Sequence, residues 1–446
     1  VIPRPRTASL LLFVLVLLAY SQILGGSFQY DDFNVIVADS SVHSLGAWAA
    51  GLGGLRPLLK LTYALNWRLD QAPAGFLVVN FILHLLNTWL VHWLLRWVGN
   101  RGGLGSRQAA IAAFGGALLF ALHPLQVEAV AYASGRSSSL AAALVLASVV
   151  AYLHGRDRLQ WLWTDLISPG FFLLALATKE TALALPLALT LLECCGPDGW
   201  RRPVRGPRVH WLLAATGAAA LVLHPGYRKL LAFSFDLRGP GDQLRCALEG
   251  LGYLFGKLLW PSGLNIDPPL AMPGSWSLPL AGTALGVVGL LSAGLWALRR
   301  QPWLAFGLLW GLVFLLPTQG PVPRLDLAND RHLYLSLAGF AFVFAALLSF
   351  WPERSGISAL AATSLALGLV TVAGVRDYRD EATLWRSSLN VAPQNPRAWN
   401  NLGVALHECG EFKSAALAFQ EALRLRPGYR LARTNLESME HASPRR

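Results

Sequence analysis

Cysteine is scarce in this chain. Its four copies, Cys194, Cys195, Cys246 and Cys409, have no metal-ligand spacing, so neither a disulfide framework nor a zinc site has support. Charge is scarce as well. Only 14% of the residues are charged against 54% hydrophobic, and a mean hydropathy of +0.44 is too apolar for a soluble globule. Also missing are a Gly-rich phosphate loop, the Asp-x-Asp motif of soluble nucleotide-sugar chemistry and a defensible Ser/His/Asp order, which removes those three kinds of site from consideration. Acids are outnumbered by bases, leaving a net charge of +12. The basic residues fall mainly in short loops between apolar segments, a pattern that reads as membrane topology and not as a nucleic-acid surface.

What is present is a succession of apolar runs. They lie near residues 8 to 25, 76 to 98, 108 to 122, 137 to 154, 161 to 178, 180 to 195, 210 to 224, 277 to 298, 302 to 317, 332 to 351 and 356 to 375. The reading is an all-α polytopic membrane protein with about eleven transmembrane helices. The linkers Arg96 to Arg107, His154 to Arg158, Arg201 to Arg208, Arg299 to Arg300 and Glu353 to Arg354 place themselves and the N-terminus in the cytoplasm by their Lys/Arg bias. An odd number of spans then puts the C-terminus on the opposite side. The first run follows Arg4 and Arg6 and has no small-residue cleavage motif before Phe28, so it is read as a retained helix. Residues 225 to 276 form the longest non-cytoplasmic loop, in which Gln243 to Trp260 is expected to lie along the membrane surface.

From Arg376 the chain turns polar and helical. Between Pro396 and Pro427, residues Trp399, Leu402, Gly403, Ala415, Phe419, Ala422 and Pro427 share one register of the 34-residue tetratricopeptide repeat. Gly403 and Ala415 let paired helices approach, and Trp399 and Phe419 fill the space between them. Tyr378 to Pro393 reads as the second helix of an earlier repeat, and Arg430 to Glu440 as the first helix of a later one. The division is therefore a transmembrane domain over 1–375 and an extracytoplasmic repeat module over 376–446. One full repeat with two halves is too few for an independent solenoid, so the module is expected to dock on the membrane domain or on a partner. Trp399, Asn400 and Asn401 are its candidate partner-binding residues.

Two adjacent carboxylates, Asp31 and Asp32 in the stretch FQYDDFNVI, follow directly on the first apolar run. Carboxylates at a bilayer edge are costly unless they bind or react with something. Further polar motifs recur at the same ends of the helices: RPLLKLTYALNW from Arg56, HPLQVEAVAYASGRSS from His123, ATKETA around Lys179 and Glu180, and LDLANDRHLYL with Asp330 and Arg331. Ionisable groups gathered on one face beside apolar helices suit a ligand with an anionic head and a lipid tail. Arg136 and Arg331 are candidates for a phosphate, which the guanidinium fork suits better than an ammonium does.

These motifs, taken in order with YLFGKLLWPSGLNIDPPL and LPTQGPVP, resemble the transmembrane and tetratricopeptide-repeat O-mannosyltransferase (TMTC-type) family across residues 8 to 440. The resemblance implies a GT-C-class membrane glycosyltransferase that takes a sugar from a polyprenyl-phosphate carrier at the outer membrane face, with inversion. It also implies that Asp31 with Asp32 is the acidic catalytic motif and that Lys179 with Glu180 is the Lys-Glu motif. Asp330 stands before Arg331 where the family commonly has Glu, Ser138 stands where an Asp or similar polar residue often follows Gly-Arg, and the repeat array is short. The preference for Arg over Lys, the many Ala, Gly and Leu and the first residue Val1 suggest a bacterial gene, which places the active face in a periplasm and the protein in an inner membrane.

The implied roles are these. Asp31 is the general base for an acceptor hydroxyl, and Asp32 orients it or a metal. Arg331, Lys179, Arg136 and His123 stabilise the phosphate left behind. Glu180 orients Lys179, and Arg56 and Asp330 support the set. No cofactor is required by the motifs, a divalent metal stays open, and the lipid-linked sugar is the donor substrate. Expected partners are that polyprenyl-phosphate sugar, an acceptor protein docked by the repeats, and membrane lipids, with no nucleic acid. Two other readings stand beside this one: a ligase using a diphosphate-linked oligosaccharide, and a non-catalytic membrane scaffold whose repeats recruit a protein.

Overall fold

A computed structural model describes residues 5–196 and 206–442. Arg4 and Val1, and the part of the Arg201–Arg208 linker up to residue 205, lie outside the described residues. The described residues contain helices and no strands, as the apolar runs require of a multi-pass membrane protein: with no water in the hydrocarbon, each segment must satisfy its own backbone.

Six helices among the described residues are long and apolar enough to cross a membrane, namely Thr7–Gly25, Pro73–Arg101, Ala133–Arg158, Leu278–Ala297, Pro302–Gln319 and Glu353–Asp377. Two bent pairs, Ser106–Leu122 with Pro124–Val130 (56°) and Arg208–Leu223 with Pro225–Leu237 (81°), raise the number to eight. The eleven runs read from composition therefore exceed the long helices. The difference arises where apolar character outlasts regular helix. The stretch after Trp161 is broken into Ser168–Leu176 and Leu185–Cys194 by the polar Thr178–Lys179–Glu180 segment, and the run around 332–351 holds only the 13-residue helix Leu337–Ser349. The Pro240–Leu259 helix, expected on the membrane surface, is not among the candidate spans.

Ser106–Leu122 sits at the centre, buried along almost its whole length. Its Gly116 makes room for a neighbouring backbone: a Cβ there would lie 2.8 Å from Leu95 and 3.0 Å from the Phe342 Cα. Small residues of this kind let helices in a membrane approach closely enough for dispersion to hold them.

The basic loops meet at one end of the bundle. Arg101 pairs with Asp157, Arg107 lies 3.2 Å from Glu353, and the Trp303 N–H donates to the Gly102 carbonyl at 3.3 Å. The C-terminal helices Glu381–Val391, Pro396–Glu408 and Phe412–Leu425 pack in antiparallel pairs. A Cβ on Gly403 would come within 2.6 Å of the Phe419 ring, so glycine is needed for this close approach. The repeats dock on the rest of the chain, as the short array predicts. Arg397 forms ion pairs with Asp267 and, at 3.0 Å, with Asp326, and Asn395 donates to Asp267 at 2.9 Å.

Candidate active site

The two adjacent acids part company. Asp31 is half-buried and Asp32 fully buried. Asp32 accepts hydrogen bonds from the Gln29 N–H (3.1 Å), from the Ser134 N–H (2.7 Å) and from the Ser134 hydroxyl. Both of its oxygens are thus engaged in tying the loop after the first helix to the 132–136 turn, and burial, against those hydrogen bonds, pushes its carboxyl up to about 7. The geometry fits an anchor. Among the described residues no three or more His, Cys, Asp or Glu side chains lie close enough to hold a metal ion.

Asp31 faces the other way. Its backbone N–H donates to the Tyr132 hydroxyl at 2.9 Å. Burial pushes its carboxyl above the ordinary value, the charge of Arg331 pulls it down, and Asp326 pushes it up again. Arg331 lies over the Tyr132 ring, 5.7 Å from its centre. The Arg331 N–H donates to Glu128 at 2.9 Å, and its guanidinium approaches the same carboxylate at 3.4 Å. Burial alone would lower Arg331, but Glu128, Tyr132 and Asp31 more than offset it and hold the guanidinium above its ordinary range. It stays charged.

Beside Arg331 is a narrow cavity of about 50 Å³ lined by Ser138, Lys179, Thr318, Arg331, His332 and Tyr334. Lys179 is buried and donates to the Ser138 hydroxyl at 2.8 Å. Burial, then the charges of Arg331 and Arg56, lower its ammonium well below the ordinary value. Ser138 offers no negative charge, so Lys179 has no anion at this contact. Arg324 is near the same cavity. Burial is the main cause of its lowered value, which Glu180 raises and Arg56 and Arg331 lower. An excess of cationic side chains around one cleft is what an anionic ligand would complete.

Several placements differ from the sequence reading. Glu180 does not orient Lys179: it takes a forked contact from Arg56, at 2.8 to 3.1 Å, and although burial alone would raise it, the Arg56 guanidinium holds its carboxyl at about 2. Arg136 does not reach the cleft. It is wholly buried and donates to Asn80 Oδ1 (3.0 Å), the Thr62 carbonyl (3.1 Å) and the Phe76 carbonyl (3.0 Å), with its guanidinium over the Tyr63 ring. Its fork is used to join three segments. Arg136→Ala is accordingly expected to lower the melting temperature of the detergent-solubilised protein, each orphaned buried acceptor costing about 1–3 kcal/mol. An unchanged melting temperature with weakened anion binding would return Arg136 to the site.

His123 likewise holds a helix break. It accepts the Leu125 N–H (3.3 Å) and contacts the Leu258 carbonyl (3.2 Å). Asp330 points away from the cavity and accepts the Tyr253 hydroxyl at 2.8 Å; burial, then the neighbouring Glu128, push it up to about 7. Asn400 is buried and accepts from Asn435 at 3.0 Å, while Trp399 donates to the Pro393 carbonyl and Asn401 accepts from Asn400. The structure also brings in Glu128, Tyr132, Arg324 and His332, which the sequence reading did not single out. Glu128 carried the strongest overlooked signal, being the one acid in the motif HPLQVEAVAYASGRSS from His123.

Residues 396–429 match the tetratricopeptide repeat family. The chain is 27% identical to the protein O-mannosyl-transferase Tmtc1 of Drosophila melanogaster over 96% of its own length and 62% of the relative's. It is 25% identical to the protein O-mannosyl-transferase F38B6.6 of Caenorhabditis elegans, covering 94% of this chain and 63% of that one. Against the human protein O-mannosyl-transferase TMTC1 the identity is 26%, over 98% of this chain and 57% of the relative. The chain thus spans about six tenths of the length of these relatives. No solved structure matches it. Over most of its length the chain is a homologue of the TMTC-type protein O-mannosyl-transferases, with a tetratricopeptide repeat near its C-terminus.

Proposed function

We propose that this chain is a GT-C-type glycosyltransferase that moves a sugar, mannose in the light of its relatives' names, from a polyprenyl-phosphate carrier to a hydroxyl of an acceptor protein. The observation that carries the reading is the half-buried Asp31, whose backbone N–H is bonded to the Tyr132 hydroxyl, with the Arg331 guanidinium over the same Tyr132 ring and lining a cavity together with Lys179. Asp31 takes the proton of the acceptor hydroxyl as its oxygen attacks the anomeric carbon. The bond from that carbon to the phosphate oxygen breaks, the electron pair leaves with the phosphate, and the configuration inverts. Arg331, Lys179 and Arg324 face the charge that develops on the phosphate, an effect enlarged in a water-poor cleft.

The lipid chain has somewhere to go. The Pro302–Gln319 helix offers Phe314 and Thr318 to the polar cavity and Leu312, Val313 and Leu316 to an apolar groove of about 340 Å³, which Leu187, Leu191, Leu291 and Leu295 complete. A head-group cleft and an apolar groove on adjoining faces of one helix suit a phosphate on a long hydrocarbon. The basic loops gathered at one end of the bundle support a cytoplasmic assignment for that end and an extracytoplasmic one for the Asp31 face, the periplasmic side of an inner membrane if the source is bacterial. The contacts of the repeat module with Asp267, Asp326 and Tyr30 support a role for it in presenting the acceptor.

The test is mass spectrometry of extracytoplasmic proteins and lipid-linked sugars from cells with and without the gene. Loss of one hexose from a defined protein, with its polyprenyl-phosphate donor accumulating, is expected. Unchanged glycans and donor pools, with the protein still holding a stable partner, would support a scaffold instead.

A further inference from the structure

The backbone just before Asp31 is held in an unfavourable conformation by the repeat module. Tyr30 has φ of 47°, in the left-handed region that a bulky L-residue occupies only when its surroundings over-determine it. What surrounds it is the first helix of the C-terminal module. The Tyr30 N–H donates to Glu381 Oε1 at 3.3 Å, and the same oxygen accepts the Trp385 indole N–H at 3.2 Å. The Tyr30 ring meets the fully buried Trp385 edge-on, with centres 5.2 Å apart. Two more bonds run between the same segments, from the Ser27 N–H to the Arg379 carbonyl (3.1 Å) and from the Gln29 amide to the Tyr378 carbonyl (2.5 Å). On its other side the loop is tied through Asp31 to Tyr132 and through Asp32 to Ser134.

We infer that Glu381, seated on Trp385, is a positioning residue for transfer: it fixes the left-handed turn at Tyr30 that holds Asp31 against Tyr132, whose ring Arg331 overlies. This inference rests on the reading of Asp31 as the base. Without the Glu381 oxygen, Tyr30 relaxes to negative φ. Asp32 keeps its Ser134 anchor while Asp31 swings away from Tyr132 and Arg331. The half-repeat at Tyr378 to Pro393 then has a task, and any acceptor that shifts the module shifts the base with it.

The experiment uses the full chain in lipid nanodiscs, with polyprenyl-phosphate mannose as donor and the acceptor protein identified by mass spectrometry. Glu381→Ala is expected to lower kcat by about 10- to 100-fold, the penalty of a misplaced reacting group, with KM for the donor unchanged. Glu381→Gln retains an accepting oxygen and should restore most of kcat. A second readout needs no activity: hydrogen–deuterium exchange should rise at residues 27–33 in Glu381→Ala and stay at wild-type protection at residues 132–136. Wild-type kcat in Glu381→Ala, or equal losses in the Ala and Gln variants, would overturn the inference. If the wild-type protein transfers no sugar, the proposed function fails, and the exchange measurement still decides whether Glu381 holds the turn.

Discussion

Asp31→Asn is expected to reduce sugar transfer by about 10²–10⁴-fold, the usual worth of a positioned general base, with the melting temperature and donor affinity close to wild type. Asn has nearly the same shape, and the contact from the residue 31 N–H to Tyr132 comes from the backbone and survives the change. The pH dependence adds a second check. Burial raises the Asp31 carboxyl above its ordinary value, and a base works only when ionised. Wild-type turnover should therefore fall as pH drops, with an acidic limb set above the usual carboxylate range, and the variant's residual rate should lack that limb. Asp32→Asn should behave differently. Its amide would face the Ser134 and Gln29 N–H donors with one oxygen too few, so the loss should appear as lower thermal stability. Near-normal transfer by Asp31→Asn would remove Asp31 from the chemistry.

Arg331→Ala carries the second large effect, on the donor side. A hydrogen bond to a charged partner is worth roughly 1.5–3 kcal/mol, so affinity for a polyprenyl-phosphate probe should weaken by about 10- to 100-fold. The variant also strands Glu128, which is 3% exposed and takes both the backbone N–H and the guanidinium of Arg331; a buried charge stripped of its partner destabilises by several kcal/mol. The two consequences can be separated. Adding Glu128→Gln to Arg331→Ala should recover much of the stability and none of the donor affinity, since only the stranded charge has been relieved. Arg331→Lys should fall between, keeping a cation near Glu128 without the fork. Equal donor affinity in wild type and Arg331→Ala would exclude Arg331 from the phosphate site.

The apolar runs made the helical membrane architecture legible, and Trp399, Gly403 and Phe419 at repeat spacing made the tetratricopeptide segment legible. The same runs overstated the number of long helices, because hydropathy does not register where Thr178–Glu180 or His123–Pro124 interrupts the backbone ladder. Within the site, the separate fates of Asp31 and Asp32 followed from backbone geometry: the two sit on a helical turn, where neighbouring side chains diverge by about 100°, and which one meets Ser134 depends on a turn 102 residues beyond Asp32. Arg136 and Arg331 looked alike as single cations among apolar neighbours. Only the surrounding carbonyls of Thr62 and Phe76 distinguish a structural guanidinium from one beside an open cleft.

By itself, the sequence determined which segments must leave water, which loops are basic, and that a set of ionisable groups recurs at one end of the helices, because composition and period act locally along the chain. Only the tertiary structure decided which of those groups face one another. Lys179 meets Ser138, Glu180 meets Arg56, Arg331 meets Glu128, and Tyr30 meets Glu381 across 351 residues. Charges are sorted into partners by distance and burial, and both are properties of the packed bundle.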